Sequence, residues 1–210
     1  MAPAGIAFYD ADSRHGVFNT ENSAFASLPY DLLNTHCSAI IDNGKGALWF
    51  ANNGYGIISL QDGKASIINE TINPIVIDRY VNALYRSQKG IIFAGEKQHL
   101  NYMLPSGKSY TCLQGVDVRG ITEDHLGNIW VATENQGVLC IKGDFNHPKS
   151  LDSKYYNASQ GNFLVNDATN CLEDSKHRLW VISNSGGLFR YDEKKDAFMS
   201  VNNEYHWDIN

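Results

Sequence analysis

The apolar residues of the chain lie in short segments that are separated by polar turns. One such segment, Asn170-Cys171-Leu172, ends at acidic residues, and a second, Leu179-Trp180-Val181, follows a few positions later. β-Branched and aromatic residues are frequent in these segments, and such residues favour extended strands. The 3.6-residue period of an amphipathic helix is not seen in them. The pattern therefore predicts short strands joined by tight turns.

The segments form an internal repeat with an aromatic anchor in the second strand of each unit. The anchors are separated by 44, 37 and 50 residues. A turn position lies three residues before each anchor, and it is Gly in three units and His177 in the fourth. Gly supplies the positive backbone φ that such turns need. The anchors are Trp49, Phe93, Trp130 and Trp180.

A short polar residue precedes each turn position, where it can accept hydrogen bonds from downstream backbone N–H groups. Ser87, Asp124 and Asp174 lie six residues before their anchors. Asp42 lies one residue further out, seven before its anchor. Because one reaction centre does not need equivalent copies in several units, we interpret Asp42, Asp124 and Asp174 as turn residues. The Trp anchors are interpreted, on the same argument, as packing between adjacent units.

Four short antiparallel strands in a unit of roughly 45 residues are the signature of a propeller blade. We therefore predict an all-β, β-propeller-type fold in a single domain of residues 1–210. It comprises about four four-stranded antiparallel blades plus a half blade, in an open arc or partial propeller. Because the repeat is interrupted at both ends, we expect a fragment of a longer chain, or a second copy pairing through open edges. The predicted units are a half blade at 5–20, blades at 37–70, 117–157 and 168–202, and a degenerate blade at 80–113.

Charge and cysteine content restrict the partners and the environment. The formal net charge is −6, and an acidic surface disfavours nucleic acid and anionic lipid. No apolar segment approaches the ~20 residues needed to cross a bilayer. We therefore expect no nucleic-acid partner and no direct membrane contact. No Cys-x-x-Cys pair occurs, and we expect buried free thiols at Cys37, Cys112, Cys140 and Cys171.

Sequence motifs for catalysis are missing. The chain has no G-x-S-x-G, no phosphate-binding loop and no dinucleotide fingerprint. None of its seven histidines lies in H-E-x-x-H or another ligand motif. We therefore expect no catalytic residue, no metal ligand and no cofactor.

Two units resemble the two-component regulator propeller repeat. The segments are ITEDHLGNIWVATENQGVL around Trp130 and CLEDSKHRLWVISNSGGLFRYD around Trp180, and the lead-in at 164–168 is similar as well. The resemblance covers nearly the whole chain, and the unit around Phe93 departs from it most. It implies the periplasmic or extracytoplasmic sensor of a Bacteroidetes hybrid two-component system. Such a sensor recognises glycans and signals to a histidine kinase.

The turns between second and third strands share one face with the connections between blades. Loops on a rigid scaffold usually carry binding, and amides and aromatic rings suit a carbohydrate. Turn chemistry alone also explains the Asn residues, so both interpretations stay open. The candidate ligand residues are Asn52, Asn53, Tyr55, Gln98, Asn135, Gln136, Tyr155, Tyr156, Asn184 and Ser185.

Three functions are compatible with the repeat. The first is a sensor that binds an oligosaccharide without turnover. The second is a metal-assisted enzyme, because streptogramin (virginiamycin B) lyases carry similar D-G-x-L-W-F repeats. The third is a structural or protein-interaction arc. The lead-in and the Tyr191-Asp192 ending favour the first.

Overall fold

The computed structural model describes residues 36–69 and 73–201, together with the backbone of 6–7 and 17–18. Of the half blade predicted over 5–20, it shows Ile6–Ala7 (β1) paired antiparallel with Val17–Phe18 (β2). The rest of that prediction lies outside the described residues. Within the described part of the chain, no helix is long and apolar enough to span a membrane.

Four four-stranded antiparallel sheets follow, and in each sheet the strands pair in chain order. This confirms the predicted fold class of four antiparallel blades. We name the sheets blades 1 to 4. Blade 1 contains β3 (Cys37–Asp42), β4 (Ala47–Asn52), β5 (Gly56–Gln61) and β6 (Lys64–Ile68). Blade 2 contains β7 (Val81–Arg86), β8 (Ile92–Glu96), β9 (His99–Met103) and β10 (Ser109–Gln114). Blade 3 contains β11 (Val118–Glu123), β12 (Ile129–Thr133), β13 (Val138–Lys142) and β14 (Asp152–Tyr156). Blade 4 contains β15 (Asn170–Glu173), β16 (Leu179–Ser183), β17 (Gly187–Asp192) and β18 (Ala197–Ser200).

The first strands of successive blades lie next to one another, so the blades stack in chain order around their inner strands. Each of β3, β7 and β11 has a register shift near its start, at Ser38, Asn82 and Arg119. Such a bulge re-aims the side chain of the extra residue. Ser38 Oγ donates to the Val81 carbonyl (3.3 Å), and Asn82 Nδ2 donates to the Val118 carbonyl (3.1 Å). The bulges thus join blade 1 to blade 2 and blade 2 to blade 3.

A hydrophobic core fills the gap between each pair of adjacent blades. Trp49 lies in the core between blades 1 and 2. Phe93 packs against Phe145 of blade 3, with ring centroids 5.2 Å apart. Trp130 packs against Tyr191 of blade 4 at 5.1 Å. Each of these anchors therefore faces the blade that follows it.

The first turn of each blade is organised by the side chain six residues before the anchor. Asp124 Oδ1 accepts from the backbone N–H groups two and four residues downstream, at 3.0 and 2.8 Å. Its Oδ2 accepts from the Trp130 indole Nε1 at 2.7 Å. Asp174 makes the equivalent contacts in blade 4, and its Oδ2 lies 2.9 Å from the Trp180 indole Nε1. One carboxylate thus fixes both a turn and a ring.

In blade 1 this role belongs to Asn43 rather than to the predicted Asp42. Asn43 Oδ1 accepts from the N–H groups two and four residues downstream, at 2.8 and 3.0 Å. Asp42 instead accepts from the Gly44 N–H at 2.7 Å. In blade 2, Ser87 Oγ accepts from the Ile91 N–H at 3.0 Å. The spacing between turn residue and anchor is therefore six residues in all four blades.

Blade 4 has one covered face and one exposed apolar face. The covered face includes Val181 and Phe189, which pack against blade 3. The opposite face carries Leu172, Ile182 and Met199, which are 60%, 51% and 38% exposed. We call these three residues and Trp180 the open face.

The four cysteines are free thiols, as expected, and Cys140 and Cys171 are buried. The expectation of burial is wrong for Cys37 and Cys112, which are half-buried. Burial raises the pKa of Cys112 to about 11, and it raises the pKa values of Cys140 and Cys171 to about 12. These groups stay protonated at neutral pH and act as apolar packing groups.

Candidate functional site

The turns between second and third strands lie on one side of the arc with the connections between blades. We call this side, formed by 53–55, 73–80, 97–98, 115–117, 134–136, 157–169 and 184–186, the upper face. The opposite side, formed by the first turns at 43–46, 87–91, 124–128 and 174–178, is the lower face. Backbone hydrogen bonds join the turns of the upper face to its connections: Gly54 N to Arg79 O (2.9 Å), Gly115 N to Gln98 O (2.8 Å) and Glu134 N to Asp117 O (3.0 Å).

Polar side chains brace the upper face between blades 2 and 3. The Arg119 guanidinium contacts Asp117 at 3.2 Å and Glu134 at 2.9 Å. Gln136 Nε2 donates to the Gly115 carbonyl at 2.9 Å. These contacts cross from the end of one blade to the turn of the next. They hold the upper face in one shape, which lowers the entropic cost of binding a ligand there.

The ten predicted ligand residues differ in exposure. Asn52 and Tyr156 are buried, at 0% and 1%, and the Tyr156 hydroxyl donates to Asp196 at 2.7 Å in the core beside blade 4. Tyr155 packs against the core between blades 2 and 3. Successive residues of a strand point to opposite faces of the sheet, so Tyr155 and Tyr156 pack against the cores on the two sides of blade 3. The sequence alone did not show that both faces of this strand are covered. The exposed or half-buried residues of the upper face are Asn53, Tyr55, Gln98, Asn135, Gln136, Asn184 and Ser185.

An exposed aromatic ring, Tyr80, lies on the upper face at the end of the connection between blades 1 and 2. It is 51% exposed and forms a β-bridge with Asn53. The Lys97 ammonium lies 6.0 Å from the centroid of the ring. The ring therefore lies beside a cation, and the backbone of Tyr80 pairs with that of Asn53. The sequence pattern missed Tyr80 because it lies just before β7, outside the turn positions that the repeat marks.

The connection that carries Tyr80 is fixed from below by Glu96. This side chain is buried, and its two carboxylate oxygens accept from the backbone N–H groups of Ile77 (2.8 Å) and Asp78 (2.9 Å). Burial raises the pKa of Glu96 to about 7, although the two N–H donors favour the charged form. His99 Nδ1 lies 3.7 Å from the carboxylate. A buried carboxylate with two backbone donors holds the 77–80 segment in place.

The lower face has two cavities, one at each junction of blade 3. The first, of about 200 Å³, lies between blades 2 and 3 and is lined by residues that include Lys89, Pro105 and Asn146. The second, of about 140 Å³, lies between blades 3 and 4. It contains a cluster of His125, Glu173 and His177, whose ligand atoms lie within 4.8 Å of one another.

The His125 ring is paired with Glu173 across the junction. His125 Nδ1 and Glu173 Oε1 are 2.6 Å apart, and this hydrogen bond raises the pKa of His125. His177 Nδ1 lies 3.6 Å from Glu173 Oε2. Sequence motifs did not find the cluster because its members come from two blades. The one signal in the sequence was His177 at a position that is Gly in the other units.

Residues 112–135 match the family model of the two component regulator propeller. The matched segment runs from the last strand of blade 2 to the second turn of blade 3. The resemblance predicted from the sequence is confirmed for this segment. A search of curated proteins finds no match.

Solved structures share the fold at low sequence identity. The extracellular domain of BT4673 from B. thetaiotaomicron, assigned to a one component system, matches with a TM-score of 0.68 and 18% identity, over 89% of this chain and 24% of that one. The extracellular domain of BT3049 from B. thetaiotaomicron, assigned to a hybrid two component system, gives 0.67 and 16%, over 88% and 23%. Virginiamycin B lyase from Staphylococcus aureus, solved with quinupristin, gives 0.59 and 19%, over 79% and 55%. The chain thus spans about a quarter of the length of the two extracellular domains, and these similarities show the fold.

Proposed function

We propose that the chain is part of the ligand-binding propeller of a two-component regulatory sensor, located outside the cytoplasm, and that its upper face binds an oligosaccharide. The family match at 112–135 and the fold shared with two extracellular domains support the sensor role. In this proposal the ligand is bound without turnover, and the bound state is relayed to a histidine kinase.

The observation that carries the ligand class is the arrangement around Tyr80. A half-exposed aromatic ring stacks on the apolar face of a sugar, and amides donate to and accept from its hydroxyl groups. Asn53 is joined to Tyr80 by a β-bridge, and Lys97 approaches the ring. Charged and amide donors beside an exposed ring also fit an acidic sugar. The proposal therefore favours oligosaccharides that contain uronic or sialic acid residues.

The remaining exposed polar residues extend this patch along the upper face. Gln98, Asn135, Asn184 and Ser185 are exposed, and they come from the second turns of blades 2, 3 and 4. Asp167 fixes Ser185 by accepting from its backbone N–H at 3.0 Å. An extended chain of several sugar units would meet one such turn per blade. This repetition favours an oligosaccharide over a monosaccharide.

A thermal-shift screen of the chain against neutral and acidic oligosaccharides tests the proposal. A ligand that binds only the folded state raises the melting temperature by mass action. We expect a dose-dependent rise with one class of glycan and a smaller rise for Tyr80→Ala. Leu126→Ala on the lower face, where the side chain is 72% exposed, is the matched control and should behave like the parent. A rise that Tyr80→Ala leaves unchanged would refute binding at this patch.

A second candidate function is a metal-assisted lyase, and one specific observation favours it. The lyase structure shares the fold, and this chain places two histidines and a glutamate around one cavity. The alternative predicts loss of quinupristin in the presence of an added divalent metal ion, Mg²⁺ or Zn²⁺, and chromatography would measure this loss. An unchanged quinupristin peak after prolonged incubation excludes it.

A further inference from the structure

The junction of blades 3 and 4 on the lower face departs from the repeat at two positions. In the preceding junction, Glu123 Oε2 accepts from the backbone N–H of Gln88, at 2.7 Å. At the junction of blades 3 and 4, Glu173 and His125 occupy the equivalent positions, one residue before and one after the turn residue. The glutamate still contacts the preceding blade, but its partner is the His125 imidazole instead of a backbone N–H group.

The second departure is His177. The equivalent positions in the other blades are Gly46, Gly90 and Gly127, with φ of 84°, 74° and 82°. His177 adopts the same left-handed conformation, with φ of 59°. A side chain other than Gly costs about 1–2 kcal/mol there, although histidine adopts this conformation more readily than most residues, and Asp62 and Asp196 also adopt it. Backbone strain of this kind is concentrated at functional sites.

We propose that His125, Glu173 and His177 form a binding site for a divalent transition-metal ion of the zinc class. Two imidazole nitrogens and one carboxylate oxygen are ligands that Zn²⁺ takes in open sites, where water fills a fourth position. The cavity beside the cluster provides room for that water. Hard cations such as Mg²⁺ prefer all-oxygen sites and do not suit two imidazoles.

The distances are close to those of such a site. Tetrahedral Zn²⁺ with bonds of about 2.0–2.1 Å places its ligand atoms about 3.3 Å apart. His177 Nδ1 lies 3.6 Å from Glu173 Oε2, His125 Nδ1 lies 2.6 Å from the other carboxylate oxygen, Oε1, and one ligand atom of each residue lies within 4.8 Å of the other two. To share one ion, the exposed His125 ring would have to move away from Glu173 toward the spacing of a tetrahedral site.

A bound ion would join two blades. His125 belongs to the first turn of blade 3, while Glu173 and His177 belong to blade 4. Metal ligands from two elements stabilise the arrangement of those elements, because the ion binds only when both are in place. Zinc therefore stabilises the packing of blade 4 on blade 3, independently of any ligand on the upper face.

Isothermal titration of the chain with ZnCl₂ tests the site. We expect binding of one ion per chain, a rise in melting temperature with zinc and no binding of Mg²⁺. Two variants restore the residues of the other blades, His177→Gly and His125→Gln, and each should lower the zinc affinity at least about tenfold, since even outer-shell partners of a metal contribute that much. His147→Ala, which removes an exposed histidine paired with Asp144, should bind zinc like the parent.

The variants also separate loss of a ligand from loss of the fold. His177→Gly relieves the left-handed strain, so its melting temperature without zinc should equal or exceed that of the parent. Co²⁺ should give the visible absorption of a tetrahedral site in the parent and in His147→Ala, and it should not do so in His177→Gly or His125→Gln. Parent-like zinc affinity in both His177→Gly and His125→Gln, or no saturable binding to the parent, would overturn the assignment. Neither result depends on oligosaccharide binding.

Discussion

At the scale of single residues, the link between Asp124 and Trp130 shows how one carboxylate stabilises both a turn and an anchor ring. The carboxylate serves the turn through one oxygen and the indole through the other. In blade 2 the pair is Ser87 and Phe93, which retains the turn contact and lacks both the second oxygen and the indole N–H. The two changes offset each other, because neither leaves a buried polar group without its partner.

This account predicts non-additive substitutions. Asp124→Ser alone and Trp130→Phe alone should each lower the free energy of unfolding by about 1–3 kcal/mol. The first leaves the buried indole N–H without its acceptor, and the second removes one of the two donors to Asp124 Oδ2, the other being Asn128 Nδ2. The double variant should cost at least about 1 kcal/mol less than the sum, as measured by urea unfolding. Asp124→Ser combined with Trp180→Phe is the control, because those residues are not bonded and their effects should add.

Glu96 predicts a pH dependence of stability. Its folded pKa of about 7 is raised above the ordinary value of 4.5, so the folded state binds more protons between these two values. The protonated group contributes up to about 3 kcal/mol to the free energy of unfolding. This contribution is complete below about pH 4.5 and is lost as the pH rises through 7. The charge of Asp78 also raises the pKa of Glu96, and His99 Nδ1 lies 3.7 Å from the carboxylate.

Urea unfolding between pH 4.5 and 8 measures this loss. Glu96→Gln should flatten the profile over that range, while Asp62→Asn, at an exposed position in the turn between β5 and β6, should leave it unchanged. Equal slopes for the parent and Glu96→Gln would show that the carboxylate is already charged in the fold at pH 4.5.

At the scale of strands and turns, two glycines with the same backbone conformation have different surroundings. Gly46 and Gly137 have φ of 84° and 79°. A Cβ at Gly46 would meet nothing within 4 Å, whereas one at Gly137 would lie 2.1 Å from the Tyr156 carbonyl. Gly137 therefore permits the third and fourth strands of blade 3 to approach each other.

Alanine at each position separates conformational strain from steric contact. Gly46→Ala should cost about 1–2 kcal/mol, the usual cost of a left-handed residue. Gly137→Ala should cost clearly more, or abolish the cooperative unfolding transition, because its backbone neighbour cannot move aside. Similar unfolding midpoints for the two variants in urea would contradict the close approach.

The sequence repeat predicted most of the strands and turns, and it missed several side-chain positions for physical reasons. Strand pattern and turn spacing come from local chemistry, so the four blades were predictable. Asn43 was missed because Asp42 is the stronger turn former by type, although the spacing favours its neighbour. The burial of Tyr156 depends on the adjacent blade, which no local pattern shows. The His125–Glu173–His177 cluster is likewise formed only when blades 3 and 4 meet.

At the scale of the whole molecule, the open face of blade 4 is an apolar surface that no described blade covers. Trp180 occupies the position at which Trp130 packs against a following blade, and its ring here lies 5.1 Å from the Arg178 guanidinium. Leu172 and Ile182 beside it are more than half exposed. An exposed apolar surface of this kind drives association.

We expect the 210-residue chain to form a dimer through this face, as measured by sedimentation velocity over a range of concentrations. Ile182→Glu should shift the chain toward monomer, because a carboxylate at the contact loses its hydration. Leu164→Glu, at a side chain that is 71% exposed in the connection before blade 4, should not. A parent chain that stays monomeric at high concentration would show that the open face does not bind a second copy.

The central claim is that the upper face binds an oligosaccharide around Tyr80, and the most direct test is isothermal titration. The glycan with the largest thermal shift is titrated into the parent, Tyr80→Ala and Leu126→Ala. We predict saturable binding with one site per chain and no change for Leu126→Ala. For Tyr80→Ala we predict an affinity about two- to tenfold lower, as stacking on a ring contributes about 0.5–1.5 kcal/mol. Equal affinity in Tyr80→Ala and the parent, or heat without saturation for every glycan, would contradict the account.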